Sequence, residues 1–349
     1  MARPSFASCV ISWQREHGRN ELPWQHTNDP YRVWLSEIML QQTQVATVVD
    51  YYHRFLQRFP NVGELANAST DEVLSLWAGL GYYARARNLH ACAKAVANHW
   101  QGRFPTDAAS LQTLPGIGPS TAAAIAAFCY GERAAILDGN VKRVLTRHFV
   151  IDADISKAST TTTLWALAQD QLPSASLMKR QPDAMARYTQ GMMDLGATVC
   201  LRRQPKCQVC PVANTCMAFA AGNPEEYPVK ARKARIKAKR DVDLLWLTCS
   251  QQVLLEKRPS TGIWGGLWCL PTDLTIAHRL NLGEPLAMAA FAHELTHLQL
   301  RITPWRLDCP ATPAPTIKFP QLQWVDINEL DAYGLPKPIR ALLGGTADD

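Results

Sequence analysis

Long apolar runs are missing from this 349-residue chain. No stretch of about 18 or more apolar residues occurs, so no membrane-spanning helix is expected. A strong charge of either sign is missing too: 36 Lys and Arg stand against 30 Asp and Glu, for a net charge of +6. That balance sets aside an acidic or polyelectrolyte chain and permits an anionic partner without requiring one. No repeat recurs at a fixed period, so a repeat array is not expected. The ten cysteines do not read as a disulfide framework in a chain this long, which points to a reducing compartment, the cytoplasm. The opening stretch lacks an unbroken apolar core. Met1 to Trp13 is interrupted by Ser5, Ser8 and Ser12 and runs into Gln14, Arg15 and Glu16, so it reads as an amphipathic helix rather than a signal peptide.

The length suggests two domains. Up to about residue 221 the pattern is mostly helical: 31–52, 71–79, 84–100, 120–130, 141–149, 160–172 and 184–195 carry helix-type segments. Asp29-Pro30 supplies an N-cap and a first-turn proline. Residues 222–240 then hold seven Lys or Arg (Lys230, Arg232, Lys233, Arg235, Lys237, Lys239 and Arg240) against Glu225 and Glu226. This stretch reads as a basic linker, either a solvated tether or a segment lying along phosphates. From 241 to 349 strand-like runs at 244–248, 253–257, 298–303 and 322–325 make an α+β domain.

Four stretches carry chemistry. Cys200, Cys207, Cys210 and Cys216 are spaced C-x6-C-x2-C-x5-C. Packed or bridged cysteines, a zinc ion and a 4Fe–4S cluster are all open. Only one C-x2-C pair is present, and Pro205 and Pro211 suit a winding loop, which favours the cluster. Leu114-Pro115-Gly116-Ile117-Gly118-Pro119-Ser120-Thr121 lies between helical segments. Gly116 and Gly118 permit a tight turn whose N–H groups, with the helix start at Pro119, offer a phosphate seat; a plain interhelical turn is the alternative. Leu137-Asp138-Gly139-Asn140-Val141 places Asp138 at a helix mouth, where unpaired N–H groups should keep it ionised; an ordinary N-cap fits as well. Glu37 lies among Trp34, Leu35, Ile38, Met39 and Leu40. Periodicity favours an exposed glutamate, while the apolar flanks leave open a raised pKa and a proton donor.

Together these residues resemble the iron–sulfur branch of the helix-hairpin-helix DNA glycosylases, and within it the MutY-type adenine DNA glycosylases. The resemblance extends through Leu22-Pro23-Trp24, Val33 to Gln44, Gly79 to Leu89 and Met193 to Ala197. Trp264 to Trp268 and His293 to His297 look like that family's Nudix-like C-terminal domain. The implied fold is a mostly α N-terminal region, with a six-helix module at about 24–133 and an iron–sulfur module built from the N-terminal helix plus about 134–221. The α+β Nudix-like domain at 241–349 would follow the linker.

The resemblance implies a monomer that excises adenine opposite 8-oxoguanine or guanine in double-stranded DNA, with no membrane partner. Glu37 would protonate the leaving base, Asp138 would support the sugar cation and Asn140 would orient them. Gln42 and Tyr82 match wedge positions; Gly116, Gly118 and Ser120 belong to the DNA-binding hairpin. Thr296 and His297 would read the opposite base, with Leu295 where many relatives have an aromatic. The four cysteines would hold a 4Fe–4S cluster. Endonuclease III relatives carry a strand-nicking lysine where this chain has Ser120, which implies a monofunctional enzyme. An endonuclease III-type glycosylase/lyase acting on oxidised pyrimidines and a non-enzymatic iron–sulfur DNA-binding protein are the rival readings. No R-E-x2-E-E magnesium cluster follows Gly265-Gly266, so nucleotide pyrophosphatase activity is not expected.

Overall fold

The computed structural model describes residues 4–231, 237–309 and 319–344. Arg232, Lys233 and Arg235 of the basic linker lie outside the described residues. The chain forms two compact units. One comprises Met1–Ala66 and Ala91–Lys233; the other comprises Asn67–His90 and Ala234–Asp349. Among the described residues no helix is long and apolar enough to cross a membrane.

The helices run α1 (Phe6–His17), α2 (Pro30–Leu40), α3 (Val45–Arg58), α4 (Val62–Asn67), α5 (Thr70–Leu76), α6 (Ala84–His99), α7 (Ala108–Leu111), α8 (Pro119–Tyr130), α9 (Gly139–Phe149), α10 (Ala158–Asp170), α11 (Ala175–Arg180), α12 (Ala184–Asp194) and α13 (Met217–Ala220). The amphipathic opening helix is present: Val10 and Ile11 face the core with Leu145, Met185 and Met192. Helices α1 and α12 approach so closely that a Cβ on Gly191 would lie 2.7 Å from Val10 Cγ1 and 3.3 Å from the Val10 carbonyl oxygen. Asp194, fully buried, accepts from Arg19 Nε at 2.7 Å and Gln190 Nε2 at 2.9 Å, tying the segment after α1 to the end of α12.

The single helix expected over 31–52 is two helices. Gln41 to Gln44 interrupt it, and Gln42 takes a left-handed φ of 58°. No glycine or proline marks the break, so local propensity does not disclose it. A non-glycine residue held there costs about 1–3 kcal/mol, which the surrounding packing must offset.

In the second unit, β1 (Ala238–Cys249), β2 (Gln252–Lys257), β3 (Trp268–Cys269), β4 (Leu286–Ala287), β5 (Phe291–Glu294), β6 (Leu298–Cys309) and β7 (Leu322–Asp326) form one mixed sheet, with α14 (Thr275–Arg279) and α15 (Lys337–Gly344). The order is β3-β2-β1-β6-β4, with β7 also on β2 and β5 also on β6. Strand β1 runs parallel to β6, from Ala238 opposite Leu298 to Cys249 opposite Cys309. From Leu244 onward both faces of β1 are buried: Leu244 and Trp246 join one core, Leu245, Leu247 and Cys249 the other. The period of two makes this division, and its continuous apolar run is why the strand was legible. The short strands β3, β4 and β5 were not, because two to four residues carry too little pattern.

Gly191→Ala should lower the melting temperature measured by calorimetry, since the added methyl meets helix backbone as well as side chain. Overpacking of this kind costs about 1–3 kcal/mol. An unchanged melting temperature would mean that α1 and α12 separate without cost.

Candidate active site

Helix α2 sets Glu37 in place. Asp29 caps it, accepting from the Tyr31 N–H at 2.9 Å, and Pro30 fills its first turn. Val33, Trp34, Leu35, Ile38 and Met39 are buried, so Glu37 is enclosed by apolar bulk. It retains partial exposure because it opens into a cavity of about 480 Å³ lined also by Trp24, His26, Ser36, Phe128 and Arg187. Burial, and then the negative charge of Asp138, push its carboxyl up from 4.5 to about 8. The exposed glutamate that periodicity favoured is not what forms.

Asp138 is the N-cap of α9 and accepts from the Val141 N–H at 2.8 Å. Its pKa moves upward, opposite to the direction expected from the helix end alone. Burial is the larger effect; the N–H groups of Val141 and Asn140 and the charges of Arg143 and Lys142 oppose it. Glu37 is raised by burial and by Asp138, with no helix end or cation opposing them. When the two carboxyls share one negative charge, Asp138 is therefore the better holder.

Arg143 completes this group and was not singled out in the sequence. Its Nη2 donates to Asn140 Oδ1 at 2.9 Å and to the Gly196 carbonyl at 2.7 Å, and its Nε donates to the Cys200 carbonyl at 2.7 Å. Gly196 lies in a π-helical turn, Leu195–Val199, against Asn140, where a Cβ would come within 2.5 Å of Asn140 Cβ. Arg147, one turn further on the same face of α9, is buried. It donates to Cys200 Sγ at 3.3 Å and to the carbonyls of Leu201, Arg202 and Tyr227. The spacing of Asn140, Arg143 and Arg147 is the helical one that puts them in line, and was the available signal.

Cys200, Cys207, Cys210 and Cys216 are free thiols that line one cavity with Val144, Val199, Val212 and Phe219. Among the described residues no group of three or more His, Cys, Asp or Glu is placed to hold a metal ion. Burial pushes the Cys207, Cys210 and Cys216 thiols up, Cys210 to about 12. A buried guanidinium such as that of Arg147 needs negative charge nearby, which bound thiolates provide. The donor set and the apolar shell fit a 4Fe–4S cluster.

In the hairpin, Gly116 takes φ 76° and Gly118 caps α8 with no side chain over the exposed N–H groups. Nothing lies within 4 Å of a Cβ built on Gly118, leaving room for a ligand. Ser120 Oγ accepts from the Leu137 N–H at 3.0 Å, joining the start of α8 to the extended segment before Asp138. Gln42 is exposed at the left-handed end of α2. The remaining candidates belong to the second unit. Tyr82 is 48% exposed at φ 49°. Thr296 and His297 are exposed in the turn joining β5 to β6, closed by Leu295 N–H to Leu298 carbonyl at 2.8 Å, while Leu295 itself packs on the sheet core.

The Glu37 shift has a measurable consequence for stability. The folded chain holds this proton up to about pH 8 against 4.5 for an ordinary glutamate. Its contribution is therefore complete below 4.5 and is lost as pH rises through about 8. Glu37→Gln, which does not titrate, should melt close to the wild type near pH 5 and above it near pH 8. The same difference at both pH values would show a solvated carboxylate.

Two families match the chain: the HhH-GPD superfamily of base excision DNA repair proteins over residues 35–170, and the NUDIX domain over residues 244–344. The adenine DNA glycosylase of Buchnera aphidicola subsp. Baizongia pistaciae is 35% identical over 97% of this chain and 95% of its own length. The adenine DNA glycosylase of Homo sapiens is 35% identical over 93% of this chain and 71% of its own. Among solved structures, a thermostable thymine-DNA glycosylase superposes with a TM-score of 0.54 at 27% identity, covering 62% of this chain and 95% of that one. Near-full-length likeness to the adenine enzymes, and a helical unit in which a buried acid and an N-cap aspartate interact beside the hairpin, place this chain in the MutY-type adenine DNA glycosylase family.

Proposed function

We propose that the protein removes adenine from duplex DNA where it stands opposite 8-oxoguanine or guanine, by hydrolysis, leaving an abasic site in an intact strand. The observation that carries the reading is the split between two interacting carboxyls: Glu37 raised to about 8 at the mouth of the cavity, Asp138 held by a helix N-terminus with Arg143 nearby. Adenine leaves the stack and enters the cavity. Protonated Glu37 gives its proton to the base nitrogen N7 as the N-glycosidic bond breaks, and the bonding pair leaves with adenine. Ionised Asp138 stabilises the oxocarbenium-like sugar, with Asn140 and Arg143 fixing its surroundings. Water then adds to the sugar carbon, and Glu37, now ionised, takes up the released proton.

The hairpin at Gly116 and Gly118 seats a phosphate, Gln42 and Tyr82 enter the duplex, and Thr296 and His297 contact the base opposite adenine. The monofunctional course is supported at Ser120, which has no amine and whose oxygen is engaged with Leu137 N–H. The four cysteines hold a 4Fe–4S cluster. Bound there, it would cross-link the loop that carries Arg202, Arg203 and Lys206 and supply a redox-active centre.

Single-turnover excision on an adenine:8-oxoguanine duplex should fall as pH rises through about 8, because the acid form of Glu37 is needed. Glu37→Gln should lose about 100- to 10,000-fold in that rate while still binding the duplex. A rate within a few-fold of wild type, or strand cleavage without alkali, would overturn the assignment.

Purified protein should be brown and carry about four irons per chain, and Cys207→Ala should lower the iron content. Colourless protein, purified without oxygen and holding stoichiometric zinc, would replace the cluster by a zinc site.

A further inference from the structure

Residues Asn67–His90 carry α5, the loop bearing Tyr82 and the start of α6, and they pack within the unit built by the C-terminal sheet. The contacts that hold them there are specific. Asp71 ion-pairs with Lys257 of β2, whose ammonium also sits 5.0 Å from the centre of the Trp268 ring. Arg87 Nη1 donates to the Gly265 carbonyl at 2.6 Å, and the Tyr83 hydroxyl donates to the Leu335 carbonyl at 3.2 Å. Gly334 has no room for a side chain: a Cβ there would lie 2.9 Å from Leu74 Cβ and 3.2 Å from the Leu74 carbonyl carbon.

Between these anchors lies a tight tip, strained at Tyr82. Gly79, Gly81 and Tyr82 all have positive φ, at 101°, 71° and 49°. Arg85 Nη2 donates to the carbonyls of Leu80 and Gly81 at 3.1 and 3.2 Å, and Trp77 Nε1 donates to Gly81 at 3.1 Å. The Arg85 guanidinium lies 5.6 Å from the Tyr82 ring centre, while nearly half of Tyr82 stays exposed. An aromatic residue persists in the left-handed region only where its surroundings over-determine it. Here those surroundings begin with the tip itself and continue into the C-terminal sheet.

We infer that the Nudix-type domain positions the Tyr82 wedge, through Arg87, Tyr83 and the side-chain-free surface at Gly334, in addition to presenting Thr296 and His297. The inference rests on the reading of Tyr82 as a residue that enters the duplex. One compact unit then holds both the wedge and the residues that contact the opposite base, so wedge entry and lesion reading are a single docking event. Arg87, Tyr83 and Gly334 are positioning residues and touch no reacting atom.

The test uses the full chain and a duplex with 8-oxoguanine opposite a non-excisable 2′-fluorinated adenosine, with 2-aminopurine stacked beside the 8-oxoguanine. Wedge entry unstacks the probe and raises its fluorescence; excision is read on the cleavable duplex. Tyr82→Ala should abolish the fluorescence rise. The double variant Arg87→Gln, Tyr83→Phe should lose most of it and up to about 100-fold in single-turnover excision, the size of loss that a misplacement of about 1 Å produces. Its affinity for undamaged duplex should change less than about twofold, and its losses should vanish in the Tyr82→Ala background. Gly334→Ala should act in the same direction; if it fails to fold, the double variant decides alone. Wild-type fluorescence and excision in the double variant, with both lost in Tyr82→Ala, would overturn the positioning role while sparing the wedge reading. An unchanged signal in Tyr82→Ala would overturn the wedge reading itself.

Discussion

The enclosure of two carboxyls away from water governs the helical unit. Burial raises the proton affinity of both Glu37 and Asp138, and the negative charge of Asp138 raises that of Glu37 further. Left to themselves, both would be neutral and neither could stabilise a cation. The start of α9 breaks that symmetry: its N–H groups and Arg143 favour charge on Asp138 alone. An acid and an anion of the same chemical type can then stand near one another at one pH. Several other features serve this division. The Asp29 cap and Pro30 start α2 so that Glu37 faces the cavity, and Ser120 pins the segment that delivers Asp138.

Helix α9 is the element through which the cysteine loop and the two carboxyls are joined. Asp138 caps it, Asn140 stands at its first turn, and Arg143 and Arg147 follow along one face. Arg143 bonds Asn140 on one side and the Cys200 carbonyl on the other; Arg147 bonds the Cys200 sulfur. Gly196 lets this packing close, since any side chain there would strike Asn140. Movement of the cysteine loop would therefore shift the groups that hold Asp138. The loop is far from Asp138 in the chain and joined to it by hydrogen bonds, so the two parts of the first unit stand or fall together.

Much of this is legible in the sequence. The cysteine spacing, the glycine hairpin and the capped Asp138 are local signals, each read from a few adjacent residues. The strands β1, β2, β6 and β7 were legible: β1 carries a continuous apolar run, and β6 opens on alternating apolar and polar residues. Gln42 was legible only through family resemblance: its left-handed break follows from packing, with no glycine to announce it. Arg143 and Arg147 looked like any basic helix face until the cysteine loop was laid against them.

What the sequence determined by itself was the set of chemical groups and their local conformations: four thiols on a winding loop, an aspartate at a helix start, a glycine turn before Pro119, an aromatic in Gly79 to Tyr83. These depend on neighbours within about one turn of chain, which composition and spacing specify. Tertiary structure alone decided the raised proton affinity of Glu37, the upward shift of Asp138, and the membership of residues 67–90 in the sheet unit. Each depends on burial and charge brought from distant positions: desolvation needs a surrounding shell, and Coulomb interaction acts through space rather than along the chain.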